Sequence, residues 1–285
     1  MSRIAYVNGA YVPHRTASVH VEDRGYQFAD GVYEVCEIWK GRLVDRTRHL
    51  DRLERSLREL RIRMPMSRAA LGLVLREVVR RNDVRDGFVY LQVTRGVARR
   101  DHVFPAAATE PSLVVTARSV SRAANNRIAE EGVAVITVPE NRWDRVDIKT
   151  VGLLPNVLAK QQAKEAGARE AWFVDRDGYV TEGASTTAWI VTKDGVLVTR
   201  PNGTGILPGV TRMTASDIAV REQLRVEERK FTGEEAKAAR EAFMTAATTV
   251  VMPIVSIDGA PVANGRPGTI ATRLREAFHE CAELT

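Results

Sequence analysis

Hydrophobic and polar positions along the first third of the chain alternate between a period of two and a period near three and a half. Ile4-Ala5-Tyr6-Val7 reads as a short strand, and Asn8-Gly9 after it favours a tight hairpin. A stretch rich in glycine and charge, Glu22 to Gly31, leads into Val32 to Trp39, which alternates as a half-buried strand does. Lys40-Gly41 turns the chain back into Leu43-Val44. Leu50, Leu53, Leu57 and Leu60 then recur three and four apart, so Arg46 to Leu60 reads as an amphipathic helix closed by Pro65. A second helix is predicted from about Ser67 to Arg81, with Leu71, Val74, Leu75, Val78 and Val79 inward. Phe88 to Arg95 and Leu113 to Ala117 read as strands.

Between Ser119 and Glu131 the pattern fades into a polar stretch with Asn125-Asn126 and no strong period, which reads as an interdomain linker. Beyond it, Val133 to Val138 reads as a buried strand, and a long helical pattern begins near Leu153. Ala171 to Val174, Thr187 to Thr192, Glu241 to Thr245 and Val250 to Ile257 read as further strands. Thr211 to Leu224 and Thr269 to Ala282 read as helices. The expectation is an α+β chain of two domains: a smaller N-terminal α/β domain over residues 1–118, a linker over 119–131 and a larger strand-rich domain over 132–285.

Composition narrows the class. With 285 residues, 44% of them hydrophobic and well mixed with charge, the chain can build a sizeable core. No run is long enough to span a bilayer, and Met1 to Ala10 has no apolar segment ending in a cleavage site. Cys36 and Cys281, without metal-ligand spacing, suggest a reduced cytoplasmic protein with no metal site. The net charge of +6 raises nucleic-acid binding, but 42 basic residues interleave with 36 acidic ones and no basic stripe with aromatics emerges. Neither a nucleic-acid nor a membrane partner is expected.

Three features of the second half carry chemistry. Lys149 lies between Ile148 and a small-residue turn, in Asp147-Ile148-Lys149-Thr150. Desolvation favours a neutral amine, the form that attacks a carbonyl; the plainer reading is a buried stem with its ammonium in water. Val180-Thr181-Glu182-Gly183-Ala184-Ser185 sets a carboxylate at the end of a short strand. Leu207-Pro208-Gly209-Val210-Thr211-Arg212 sets backbone N–H groups and a hydroxyl at a helix N-terminus, an anion site. A solvated Glu182 and an ordinary cap at Thr211 are the plainer readings of these two. An amine for a Schiff base, a carboxylate for a pyridinium N–H and a phosphate cradle are together what pyridoxal phosphate demands.

At these residues the chain resembles the class IV, fold-type IV pyridoxal-phosphate aminotransferases, and within them the bacterial D-amino acid aminotransferases. The most specific stretches are Asp23 to Val35, Gln92-Val93-Thr94-Arg95-Gly96, Asp147-Ile148-Lys149 and Leu158-Ala159-Lys160-Gln161. The resemblance implies a two-domain fold with pyridoxal 5'-phosphate in the interdomain cleft. It makes Lys149 the Schiff-base lysine and proton shuttle, and Glu182 the partner of the pyridine nitrogen. Arg52, Val210, Thr211 and backbone at Ala247 become phosphate ligands, and Leu207 packs on the ring. Tyr33, Arg100 and His102 form the trap for the substrate carboxylate, the last two from the neighbouring subunit of a homodimer with shared active sites.

The chain departs from the family where Asn and an aromatic Phe or Tyr are frequent and Thr187 and Trp189 stand instead. Ala246 and Ala247 replace a hydroxyl residue, leaving backbone N–H groups to serve. The expected activity moves the amino group of a D-amino acid, such as D-alanine, to a 2-oxo acid such as 2-oxoglutarate. Within the fold the alternatives are a branched-chain amino acid transaminase, an (R)-amine transaminase and an aminodeoxychorismate lyase; outside it, a basic binding protein without catalysis. Branched-chain enzymes commonly carry tyrosine where this chain has Leu154, and (R)-amine enzymes usually lack the Arg-x-His trap that Arg100-Asp101-His102 matches.

Overall fold

A computed structural model describes residues 3–285. Met1 and Ser2, part of the stretch read for a leader, lie outside the described residues. The chain divides into two compact units. The first holds the residues up to Arg122, with Ile148–Gly152 and Glu283–Thr285; the second holds Ala123–Asp147 and Leu153–Ala282.

The first unit contains β1 (Ile4–Val7), β2 (Ala10–Pro13), α1 (Arg24–Phe28), β3 (Gly31–Trp39), β4 (Arg42–Leu43), α2 (Arg46–Glu59), α3 (Arg68–Arg81), β5 (Gly87–Thr94) and β6 (Ser112–Ser119). Its six strands form one antiparallel sheet in the order β2-β1-β6-β5-β3-β4. In β3, Val32, Glu34, Cys36 and Ile38 are buried and the residues between them half-buried, as the period of two predicts. α2 packs on β3 through Leu50, Leu53 and Leu57, and with them it buries His49, Arg52 and Ser56. Each leucine so buried stabilises the fold by about 1.5–3 kcal/mol. Ser67 caps α3, its hydroxyl accepting from Ala70 N at 3.2 Å.

Two excursions return to this sheet from later in the chain. Thr150 pairs with Val32, and Val151 N donates to Gly31 O at 3.1 Å, so the Lys149 segment lines the start of β3. The C-terminus pairs with β4, through Leu43 N to Thr285 O at 2.8 Å and the reverse bond at 3.0 Å.

The second unit contains α4 (Arg122–Glu131), β7 (Val133–Pro139), α5 (Leu154–Glu165), β8 (Glu170–Val174), β9 (Val180–Gly183), β10 (Thr187–Val191), β11 (Leu197–Thr199), α6 (Val210–Arg221), β12 (Val226–Glu228), α7 (Gly233–Lys237), β13 (Glu241–Ala246), β14 (Val250–Ile257), β15 (Ala260–Pro261) and α8 (Thr269–Cys281). Its nine-stranded mixed sheet runs β12-β11-β10-β13-β14-β7-β8-β9, with β15 paired to β14. β9 and β10 also touch, so the sheet curls. β10, inside the sheet, is buried along its whole length, and its Ala188 to Val191 form a continuous apolar run.

The polar stretch 119–131, expected as a linker, is instead the end of β6, a short connection and the helix α4. The units also depart from the linear split 1–118 and 132–285, because residues 148–152 and 283–285 join the first unit's sheet. No helix among the described residues is long and apolar enough to cross a membrane.

Candidate active site

In the first unit the segment around Lys149 is held by its backbone. Tyr33 N donates to Lys149 O at 3.0 Å, and Lys149 N donates to the Ser56 hydroxyl at 3.3 Å. The side chain is half-buried, and Nζ lies 4.2 Å from the centroid of the Tyr33 ring. Tyr33 in turn stacks on Tyr90, ring centroids 5.7 Å apart. Burial, and secondarily Tyr33, push the Tyr90 hydroxyl up to about 12. The structure thus brings together Lys149 and Tyr33, two residues of the expected site that are far apart in sequence.

Arg52 sits in the same unit on the buried face of α2. Its Nε and Nη2 donate to Glu34 Oε1 and Oε2, both at 2.8 Å, and His49 Nδ1 lies 2.7 Å from Oε2. Burial alone would push the Glu34 carboxyl upward. The charge and hydrogen bonds of Arg52, with the bond from His49, outweigh it and hold Glu34 at about 2. Glu34 and His49 were missed in the sequence. The available signal was a charge on the inward phase of β3, among Val32, Cys36 and Ile38.

Arg100 and His102 follow β5 on an exposed loop. The loop opens at Gly96, where φ is +98° and an added Cβ would stand 1.9 Å from Glu110 O, so only glycine fits. Arg100 lies over the Phe28 ring at 4.9 Å, and the His102 ring is 5.4 Å from the same ring. The two residues therefore converge on one side chain, whereas Tyr33 packs on Tyr90 and Lys149. Buried Arg24 ties the loop down, donating to Asp101 O at 2.6 Å and to Asp30 at 2.8 Å. Asp30 also receives Arg95 at 2.7 and 3.0 Å, and Arg95 lies under the Phe104 ring at 3.8 Å.

In the second unit Glu182 lies one residue before the end of β9 and is buried. Its Oε1 accepts from Arg142 Nη1 at 2.6 Å and its Oε2 from Leu207 N at 3.2 Å. Two of the expected cofactor residues, Glu182 and Leu207, are thereby in direct contact. Arg142 also binds Glu140 through Nε at 2.9 Å and Nη2 at 2.6 Å, and it lies over the Phe173 ring at 4.4 Å. Burial presses on both Glu140 and Arg142, yet the ion pair wins: the carboxyl is held below its ordinary range and the guanidinium above its own. Glu140 and Arg142 lie in a loop without periodicity, and nothing in the sequence singled them out.

Val210 and Thr211 open α6, both buried, and no side chain caps the helix. Its first-turn N–H groups are therefore of the kind that can donate to an anion. At Gly209 an added Cβ would stand 2.7 Å from the Thr187 hydroxyl and 3.2 Å from Arg212 Cβ, so the backbone there is bare by necessity. Thr187, one of the departures from the family, thus borders this turn. Trp189, the other, belongs to the core: it stacks on Phe243 with centroids 5.5 Å apart, and its indole N–H donates to Thr245. Ala247 lies in the turn joining β13 to β14, half-buried. That turn ends at Val250 with φ +59°, a strained value for a β-branched residue. Within it the buried Thr249 hydroxyl has no hydrogen-bond partner. Within the second unit, a buried carboxylate, a bare helix N-terminus and an orphaned hydroxyl beside strained backbone are groups of the kind that pyridoxal phosphate requires, and the first unit offers the Lys149 amine.

Comparison with known proteins agrees with this chemistry. The model of the family "Amino-transferase class IV" matches residues 31–257. A D-alanine aminotransferase of Bacillus licheniformis is 42% identical over 271 residues, 95% of this chain and 94% of its own. One from Staphylococcus epidermidis is 38% identical, covering 96% of each chain. A T.th. branched-chain amino acid aminotransferase, solved with pyridoxamine 5'-phosphate, superposes with a TM-score of 0.89 at 28% identity, over 98% of this chain and 94% of the other. The chain belongs to the class IV aminotransferases and has their fold-type IV architecture; it is a pyridoxal-phosphate-dependent transaminase.

Proposed function

We propose that this transaminase moves the amino group of a D-amino acid such as D-alanine to a 2-oxo acid such as 2-oxoglutarate. The convergence of Arg100 and His102 on Phe28 carries the reading. A guanidinium and an imidazole held on one ring offer several donors to one carboxylate, and guanidinium matches carboxylate geometry. The D-alanine aminotransferases are also nearer in sequence than the branched-chain enzyme, 42% against 28% identical. Leu154, where branched-chain enzymes commonly carry tyrosine, is exposed at the start of α5.

Bound pyridoxal phosphate supplies an electron sink for the charge left at the substrate's Cα. Lys149 Nζ would anchor the cofactor and, once freed by the incoming substrate amine, would carry the proton from the substrate's Cα to the cofactor's C4′. Glu182 holds the proton on the ring nitrogen. The N–H groups of Val210 and Thr211, the backbone at Ala247 and the charge of Arg52, its plane fixed by Glu34, hold the phosphate. Leu207 packs on the ring, and Tyr33, Arg100 and His102 take the substrate carboxylate.

The protein works as a homodimer in the cytoplasm, with Arg100 and His102 reaching the partner's site. The apolar side chains exposed in the first unit, Val21, Tyr26, Val103 and Phe104, support such an assembly. A panel of D-alanine, L-leucine and (R)-phenylethylamine with 2-oxoglutarate tests the substrate class. D-alanine should be turned over fastest; preference for L-leucine would establish the branched-chain reading in its place.

A further inference from the structure

Glu182 does not stand alone. Arg142 is buried between two carboxylates, giving Nη1 to Glu182 at 2.6 Å, and Nε and Nη2 to Glu140 at 2.9 and 2.6 Å. Thr181 closes the cluster, its hydroxyl donating to Glu140 at 2.7 Å while Arg142 Nη2 lies 3.4 Å from it. The Arg142 side chain is 5% exposed and that of Glu182 7%, so little water screens the pair. Glu182 also acts on Arg212, which is engaged by Asn202 and, at 2.7 Å, by Glu228. A surface ion pair would contribute little to function. This one shares a single cation between the carboxylate assigned to the cofactor and a second carboxylate that the reaction does not use.

Resting on the assignment of Glu182 above, we infer that Arg142 is the positioning residue for Glu182. Its guanidinium holds that carboxylate in one orientation for the cofactor's ring nitrogen, and Glu140 balances the charge so that Arg142 does not draw Glu182 away. With Arg142 removed, half-buried Glu140 and buried Glu182 lose the cation they share, so one takes a proton or turns aside. With Glu140 removed as well, that repulsion is gone, and Glu182 keeps the bond from Leu207 N.

The test uses protein reconstituted with pyridoxal phosphate labelled with nitrogen-15 in the ring, whose resonance separates protonated from unprotonated pyridine. Arg142→Gln should displace the resonance toward the unprotonated position and weaken cofactor binding by about tenfold, the value of one charge-assisted hydrogen bond. The double variant Arg142→Gln/Glu140→Gln should bring both readouts back toward the original protein. A purely structural Arg142 would leave the resonance in place, or leave the double variant displaced as far as the single; either result overturns the inference. If Arg142→Gln does not fold, Glu140→Gln alone decides, because undivided pull on Glu182 must displace the resonance and an unmoved signal refutes the relay. Glu182→Gln separates the two layers of argument. An unmoved resonance there removes the assignment of Glu182 itself; a moved one, with Arg142→Gln silent, removes only the role of Arg142.

Discussion

Arg52 meets Glu34 through two parallel hydrogen bonds of 2.8 Å at the contact between α2 and β3. The pair fixes the plane of the arginine and buries a carboxylate completely, with His49 as the third member. Removing one partner of such a pair costs more than the pair contributes, because the other is left buried and unpaired.

That arrangement gives stability a definite pH dependence. The folded-state value for Glu34 is about 2, below the ordinary 4.5, so its contribution is complete above about pH 4.5 and is lost as pH falls through 2. The displacement corresponds to about 3 kcal/mol. Glu34→Gln should be less stable than the original protein by about that amount at pH 6, and the gap should narrow to roughly half at pH 3. Urea unfolding at both values measures it, and a gap that does not change with pH would contradict the assignment.

Lys149→Ala should keep the fold and abolish turnover. Its segment is held by backbone bonds to Tyr33 and Ser56, which the substitution leaves intact. The side chain adds only its contact with the Tyr33 ring, worth about 1 kcal/mol at a half-exposed site. The melting temperature should therefore move little, while borohydride no longer fixes the cofactor to the protein. D-alanine turnover at an undiminished rate would exclude Lys149 as the anchor.

Periodic elements were legible because their burial repeats. The alternation of β3 and the leucine stripe of α2 announce the sheet and the helix that carry Tyr33 and Arg52. α4 was not legible: of its ten residues only Ala129 is buried, so a surface helix with Asn125-Asn126 shows no apolar stripe. Nor could the chain order reveal that the Lys149 segment joins β3, since that pairing is a tertiary addition to a strand edge and leaves no periodic mark. Arg142 was hidden for the related reason that it and Glu140 lie in a loop that brings them to Glu182 on β9. The Leu207-Pro208-Gly209 turn was readable because helix entry there requires a bare backbone.

Gly209→Ala tests that requirement. The backbone at Gly209, φ −70° and ψ 127°, suits alanine, so any cost is steric. The new Cβ would stand 2.7 Å from the Thr187 hydroxyl, and overpacking of this kind costs about 1–3 kcal/mol. Adding Thr187→Ala should return part of that loss. A double-mutant cycle by urea unfolding reads the coupling, and strictly additive losses would show that the close approach is unimportant.

Arg100→Ala tests substrate recognition. The loop does not depend on Arg100 for its shape: Arg24 holds Asp101 O at 2.6 Å, and Arg95 supports Phe104. Arg100 is exposed and stacked on Phe28, so its removal should leave the melting temperature nearly unchanged. A charge-assisted contact to a carboxylate is worth roughly 1.5–3 kcal/mol, so kcat/KM for D-alanine should fall roughly ten- to a hundredfold, mainly through KM. Turnover of (R)-phenylethylamine, which has no carboxylate, should be spared. Equal losses on the two substrates would rule out a carboxylate-specific role. The same variant probes assembly, because Arg100 is proposed to act in the partner's site. Mixing inactive Lys149→Ala with Arg100→Ala protomers should then yield hybrid dimers in which one site holds both intact residues. Activity toward D-alanine recovered on mixing supports the shared site, and activity that stays at the level of the separate variants speaks for a site complete within one chain.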